Sequence, residues 1–328
     1  MVLQVGELKG WDSSLLTFLN SLTEICRARG IAIARDSLPE GIRRLLELAE
    51  VVPEVKDARA PGSRDALLAR VGIWALGWRL AFSDAITFVG EVAIALGRWV
   101  RGRARMRPSD LLEIMQACGA NALGIVTLIS YLVGVILAFM GAVQLQQFGA
   151  AIYVADLVGI GIIREMGAMM TGIIMSGRTG AAFAAQLGTM KVTQEIDALS
   201  TTGIAPMEFL VLPRVVALIL MMPLLCLYAD LMGILGGATV GAGMLGISVR
   251  TYLAETAHAV TLTGLTEGLI KSIVYGILIA LAGCYEGFNC GNSSSAVGQA
   301  ATRAVVESIV FIVVACGMFA VLLNILGI

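Results

Sequence analysis

Five long, almost uninterrupted apolar stretches dominate this chain, at 119–146, 157–182, 209–245, 265–287 and 303–327. Each reaches the roughly 20 residues that a helix needs to cross the hydrocarbon core of a bilayer. Charge is distributed accordingly: 29 of the first 110 residues are charged, against 18 of the remaining 218. A soluble domain carries about 25% charged residues, so only the first third has a soluble or peripheral character. The mean hydropathy of +0.86 excludes a soluble enzyme over the whole chain. Disorder is excluded too, because 58% of the residues are hydrophobic.

The residue inventory removes several chemistries. The chain has a single histidine, His258, and its six cysteines form no CxxC pair. A zinc site needs such ligands clustered at short spacing, and the cysteines, mostly in apolar surroundings, read as small core residues. No GxxxxGK[ST] phosphate loop occurs, so ATP is not bound in that way and no cofactor is expected in this chain. A net charge of −1 gives no case for nucleic acid. The beginning of the chain shows no charged region followed by an apolar run, so insertion is expected to rely on internal spans.

Residues 1–60 read as a small α/β fragment. Asp12-Ser13-Ser14 precedes a helical pattern that Gly30 stops, 31–34 suits a short strand, and Pro39 opens a second helix. Pro61-Gly62 marks a linker. Residues 61–107 form a second region. Here Arg79, Ser83, Thr87 and Glu91 recur every four residues along an apolar segment, which puts polar groups on one helical face. That stripe predicts an amphipathic helix over 68–100 lying in the membrane interface; a tilted span is the alternative. Arg98, Arg101, Arg103, Arg105 and Arg107 follow and mark the cytoplasmic side. Residues 108–328 then carry five crossings, which places the N-terminus in the cytoplasm and the C-terminus outside. The expected fold is an all-α polytopic membrane protein with one interfacial helix and five transmembrane helices.

Small residues recur every four positions at Gly172, Ser176, Gly180, Ala184 and Gly188, and again at Gly233, Gly237 and Gly241. In lipid such faces let helix backbones approach closely; packing within one chain is the plainer use, a dimer seam the other. Arg164-Glu165 interrupts the second apolar run. Ionisable groups in such a position face protein, a cavity or each other, and adjacent residues on a helix do not face each other. A polar cavity or an ion pair to another helix, through Lys271 or Arg303, remain as readings. Between the second and third spans, residues 190–199 predict a short amphipathic helix. Val192, Ile196 and Leu199 share one face, and Lys191, Glu195 and Asp197 point elsewhere. Such a helix suits docking into a groove on a soluble partner; a plain solvated loop helix is the alternative.

These motifs carry a resemblance. Arg164 to Gly167, Ser176 to Gly180, Gly188 to Leu199 and Pro213-Arg214 resemble, in order, the hallmark segments of the MlaE/YrbE permease family of MCE-associated ABC transporters. Met166 stands where the family usually has Leu, and Gln194-Glu195 replaces its usual Glu-Gln. Lys271-Ser272, Tyr285-Glu286-Gly287 and 301–306 extend the resemblance, which covers 68–328. It implies a homodimeric inner-membrane permease, two cytoplasmic ABC ATPase subunits that bind the ATP, and a periplasmic MCE-domain protein. Lipid is the implied substrate class, phospholipid in Gram-negative relatives and sterol or other lipids in some actinobacterial ones, with outer-membrane lipid asymmetry as the implied purpose. The implied cavity has Leu137, Leu145, Phe148, Arg164 and Glu165 in its walls. The implied ATPase-coupling helix uses Met190, Lys191, Val192, Thr193, Glu195 and Asp197. The front segment is similar to the second half of a STAS domain, with a small STAS-domain protein as a further candidate partner. An ATP-independent transporter, or a membrane scaffold or sensor regulated by that segment, are the competing classes; the first predicts paired broken helices in internal repeats, and no clear repeat is seen.

Overall fold

The computed structural model describes residues 13–28, 30–31, 38–51, 67–103 and 106–326, all helix, turn or coil with no strand among them. Contacts divide the chain into two units, Met1–Gly77 and Trp78–Ile328. In the first, α1 (Ser13–Ala28) and α2 (Glu40–Val51) enclose a small cluster of Leu19, Leu38, Ile42 and Leu46. Gly30 takes a left-handed φ of 67°, and Ile31 N–H donates to Cys26 O at 2.9 Å, which closes α1 where the sequence expected a stop. The strand expected at 31–34 lies, but for Ile31, outside the described residues.

The second unit is a helical bundle. It begins within α3 (Leu67–Val100) and continues with α4 (Pro108–Cys118) and α5 (Leu123–Gln146). One long helical column follows: α6 (Val154–Gly161), α7 (Gly167–Met175) and α8 (Ala181–Val192), joined through π-helical turns at Ile162–Met166 and Ser176–Gly180. Then come α9 (Glu195–Thr201), α10 (Leu212–Gly243), α11 (Val249–Ala259), α12 (Leu262–Phe288) and α13 (Ser294–Leu326). Among the described residues, six stretches are long and apolar enough to cross a membrane: Ala75–Val100, Pro108–Gln146, Ala151–Val192, Met207–Gly243, Leu262–Phe288 and Ser294–Ile325. Several exceed the sequence expectation, because helix continues through polar ends that read as loop. The column Ala151–Val192 holds 42 residues where 157–182 was expected. The connection expected over 286–303 shrinks to the few residues between Phe288 and Ser294.

The helices α10 and α12 form the centre, with α5, α7 and α13 around them. Close backbone approach makes this possible. A Cβ at Gly134 would collide with Gly233 O, and one at Gly236 with Tyr131 O, so α5 and α10 meet backbone to backbone. The glycine stripes are consumed in the same way inside this chain. Gly172 faces Tyr275 and Ile312, Gly180 faces Ile279, and Gly188 faces Cys290 and Val297. Gly237 and Gly241 receive the ring of Tyr252 from α11. Burial pushes that phenol up to about 12, so it packs as a neutral wedge.

Contacts of α3 show how it runs. Tyr285 Oη donates to Ala81 O at 3.5 Å, and Phe88 meets the Tyr285 ring edge-on at 5.5 Å and Phe288 at 6.1 Å. Ala95 packs with Leu212 and Val216, and Arg98 pairs with Glu208 at 2.5 Å. Residues 81 and 98 are about 25 Å apart along a helix. Yet all these partners sit at the single end of the bundle where α8 passes into α9. Thus α3 crosses that end instead of running beside the spans, although its length and composition would permit a crossing. That course is compatible with an interfacial helix, while Ala75–Val100 is also one of the stretches long and apolar enough to span.

Candidate functional site

Two sets of polar groups mark the two ends of α12. Near its start, Glu267 and Lys271 sit one turn apart, on one face. They meet the adjacent residues Arg164 and Glu165 of the first π-helical turn. Arg164 Nε lies 3.0 Å from Glu267 Oε2, and Lys271 Nζ lies 2.5 Å from Glu165 Oε1. Lys271 Nζ also donates to Arg164 O at 3.0 Å. The Lys271 side chain is 1% exposed and that of Glu267 5%, whereas Arg164 and Glu165 are 39% and 34% exposed. Of the two readings the sequence left open, the structure shows the ion pair to another helix, and through Lys271. Arg303 pairs elsewhere, with Glu286 at 2.7 Å, near the far end of α12. Nineteen residues separate Glu267 from Glu286, about 28 Å of helix. That is close to the thickness of a hydrocarbon core, so each cluster sits near one face of the apolar zone.

Glu165 has a second neighbour. Cys316 Sγ of α13 approaches its Oε2 at 3.5 Å. The residues flanking Cys316 open onto an apolar groove of about 810 Å³ between α12 and α13, lined by Val274, Val314, Met318 and Leu322. The volume lies within the range of pockets that hold small-molecule ligands. Arg164 and Glu165 are half-exposed and neighbour this slot only through Cys316; neither is among the residues that line it. The other residues named for the cavity lie elsewhere. Leu137 and Leu145 pack against Ala138, Ala142, Val154, Val158 and Ile162, on the α5–α6 side. Phe148 is 80% exposed, at the tip of the connection between α5 and α6. None of these three lines the groove in a single chain.

At the opposite end the expected coupling helix over 190–199 is two pieces. Met190, Lys191 and Val192 are the last turn of α8; Thr193 and Gln194 make a turn; α9 starts at Glu195. Gln194 has φ 62°, the one positive φ on a non-glycine residue among the described residues. The break separates the six residues. Met190 packs into the main core, and Lys191 Nζ donates to Phe288 O at 2.5 Å, so that lysine is a strut to α12. Val192 is half-buried, while Thr193, Glu195 and Asp197 are exposed. Thr193 Oγ1 donates to Glu195 Oε1 at 3.0 Å. Ile196 is buried and Leu199 packs behind it, as the apolar face predicts. The outward surface is therefore acidic and hydroxylic, on a turn fixed rigidly to the bundle.

The arrangement is a bundle with a charged, groove-bordering cluster at one end, an exposed helical turn at the other, and one helical column joining them. The family model described as Permease MlaE matches residues 111–322. The chain belongs to the MlaE permease family. It is 36% identical over 240 residues to a probable ABC transporter permease protein of Rickettsia typhi, covering 72% of this chain and 93% of that one. A probable ABC transporter permease protein of Synechocystis is 30% identical over 235 residues, 72% of this chain and 88% of its own. The intermembrane phospholipid transport system permease protein MlaE of Haemophilus influenzae is 28% identical over 199 residues, 60% of this chain and 76% of its own. Among the described residues, π-helical turns in this permease fall on its motifs: those at Ile162–Met166 and Ser176–Gly180 coincide with the first two, and a third at Met207–Val211 lies just before Pro213-Arg214. Such bulges concentrate at functional positions.

Sequence reasoning missed Glu267 and Cys316 as members of the charged cluster. A signal for Glu267 existed: Glu267 and Lys271 are four apart in an otherwise apolar run, the spacing of one helical face. Nothing in the sequence near Cys316 announces its partner.

Proposed function

We propose that this permease is the membrane subunit of an ABC transporter that moves phospholipid between the inner membrane and a periplasmic MCE-domain protein, and so supports outer-membrane lipid asymmetry. It works as a homodimer with two cytoplasmic ATPase subunits, which bind and hydrolyse ATP; this chain contributes no catalysis. The end of the bundle bearing α9 faces the cytoplasm and the end bearing α11 the periplasm. The N-terminal segment is then cytoplasmic and the C-terminus periplasmic, with α3 in the inner leaflet's interface. The observation that carries the reading is the continuous column from the exposed α8–α9 turn to Glu165 beside the apolar groove, in a chain of this family. Closure of the ATPases would press on Thr193, Glu195 and Asp197. Through Lys191 and α12 the push reaches the clamp at Arg164 and Glu165, and the groove opens or narrows around acyl chains. A second copy would bring its Leu137, Leu145 and Phe148 surface to the mouth of the lipid path. The STAS-like segment offers a place for a small STAS-domain protein.

Reconstitution with the ATPase and MCE partners tests this. The Glu195→Lys/Asp197→Lys variant is expected to lose ATPase co-purification and lipid transfer together. Glu165→Ala is expected to keep the ATPase but slow transfer by tenfold or more. Full transfer in both variants would overturn the assignment.

A further inference from the structure

A second cavity, of about 490 Å³, lies between α4, α8 and the start of α10, toward the α9 end of the bundle. Its walls hold two arginines and two acids. Arg214 is only 8% exposed. It donates to Leu210 O at 2.5 Å and to Gln186 Oε1 at 3.3 Å, and its guanidinium lies 5.5 Å from the Phe183 ring centre. Its Nε–H has no partner, and among the described residues no carboxylate pairs with it. A buried guanidinium without a counter-charge is costly, and its planar fork is the usual partner of a phosphate. Arg178 reaches the same cavity, and its Nη1 donates to Ala117 O at 2.8 Å. One turn before Ala117 stands Glu113, with Asp110 a turn earlier on the same face of α4. Both acids line the cavity.

A simple anion fits this set poorly, because the acids would repel it. A purely cationic ligand meets the arginines. We propose that the cavity seats the headgroup of a zwitterionic phospholipid, its phosphate on Arg178 and Arg214 and its amine toward Glu113 and Asp110. A helical turn of about 6 Å separates the Ala117 position from Glu113, a spacing suited to a phosphate and an amine joined by two carbons. Ile114 and Phe209 supply an apolar wall where the glycerol would continue into acyl chain. Depth agrees: Arg214 is seven residues into the stretch Met207–Gly243, about 10 Å from its end, the level of a headgroup boundary. The proposal rests on the reading of the chain as a lipid permease and gives that reading a docking point for lipid in the leaflet at the α9 end, separate from the α12–α13 groove.

The test uses the full chain, purified in detergent without ATP or partners. It is mixed with a phosphatidylethanolamine carrying a photoreactive group next to its headgroup, and the crosslinked peptides are mapped. Crosslinks are expected within 110–118 and 178–186, competed by phosphatidylethanolamine at least fivefold better than by phosphatidylglycerol. Arg178→Gln should cut the yield threefold or more and Arg178→Lys should restore part of it. Asp110→Asn/Glu113→Gln should erase the preference for the amine lipid. Helix content and elution volume are followed for each variant, and the conservative Arg178→Lys keeps the test open if the glutamine variant misfolds. Crosslinks confined to the α12–α13 groove, equal competition by phosphatidylglycerol, or displacement by millimolar inorganic phosphate would each overturn the proposal. Lipid transfer by the reconstituted complex is read separately. Transfer retained with the crosslink lost sinks this site alone; a crosslink retained with no transfer sinks the transport reading alone.

Discussion

The two charged clusters on α12 use the same chemistry in different solvents. At one end, Lys271 and Glu267 are almost fully enclosed and answer two residues of a π-helical turn. At the other, Glu286 is enclosed but Arg303 is 53% exposed. The first is a clamp whose inner ions, Lys271 and Glu267, have lost nearly all their water and depend on partners that keep about a third of theirs. The second is a strap that water can replace on one side. The difference places the more enclosed pair at the groove end and the more solvated pair at the α9 end.

Substitutions can break this contrast. The largest effect is expected for Lys271→Met, which strands Glu165 and removes the donor to Arg164 O. Loss of one partner from a fully buried pair costs about 3–5 kcal/mol; Glu165 keeps part of its water, so the cost is expected below that range and visible as a lower unfolding midpoint in detergent. If the midpoint fell by no more than in the Arg303→Ala variant, the distinction between clamp and strap would be wrong. Gly167→Ala comes next. Gly167 follows the π-helical turn, and a Cβ there would collide with Asp230 Oδ1 of α10. Overpacking of this kind costs about 1–3 kcal/mol, and thermal unfolding would report it. For Arg303→Ala, a half-exposed partner, about 0.2–1 kcal/mol is expected, with high salt mimicking the change. The smallest change is expected from Gln194→Gly. Relief of the left-handed backbone contributes up to about 1 kcal/mol, so the variant should unfold no earlier than the parent; earlier unfolding would mean that the Gln194 side chain itself supports the turn.

Legibility differed from element to element. The stripe of Arg79, Ser83, Thr87 and Glu91 was enough to show α3 as one helix with a polar face, because a helix repeats every 3.6 residues and the pattern needs no partner to be seen. The clamp was half visible. Arg164-Glu165 stood out as charge in an apolar run, and Lys271 was one of two named partners, but Glu267 was not drawn in. The α8–α9 break escaped notice, since Gln194 gives no sign of a left-handed turn that glycine or asparagine would have given. The helix α11 also went unread, although Ser248 caps it with an acceptor for Thr251 N–H at 3.1 Å. The groove between α12 and α13 could not be read at all, because its walls are ordinary valines, leucines and methionine.

Sequence alone determined the class, the number of long helices and the family, because burial in lipid writes itself as long apolar runs and the motifs are contiguous. Tertiary structure decided which charges meet, where the coupling segment bends and where the cavities open. Those outcomes depend on residues brought together from 50 to more than 100 positions apart, such as Arg178 with Ala117, or Glu165 with Lys271 and Cys316. A local pattern carries no record of a partner that distant; only the close approach of α7, α10, α12 and α13 across small side chains supplies it.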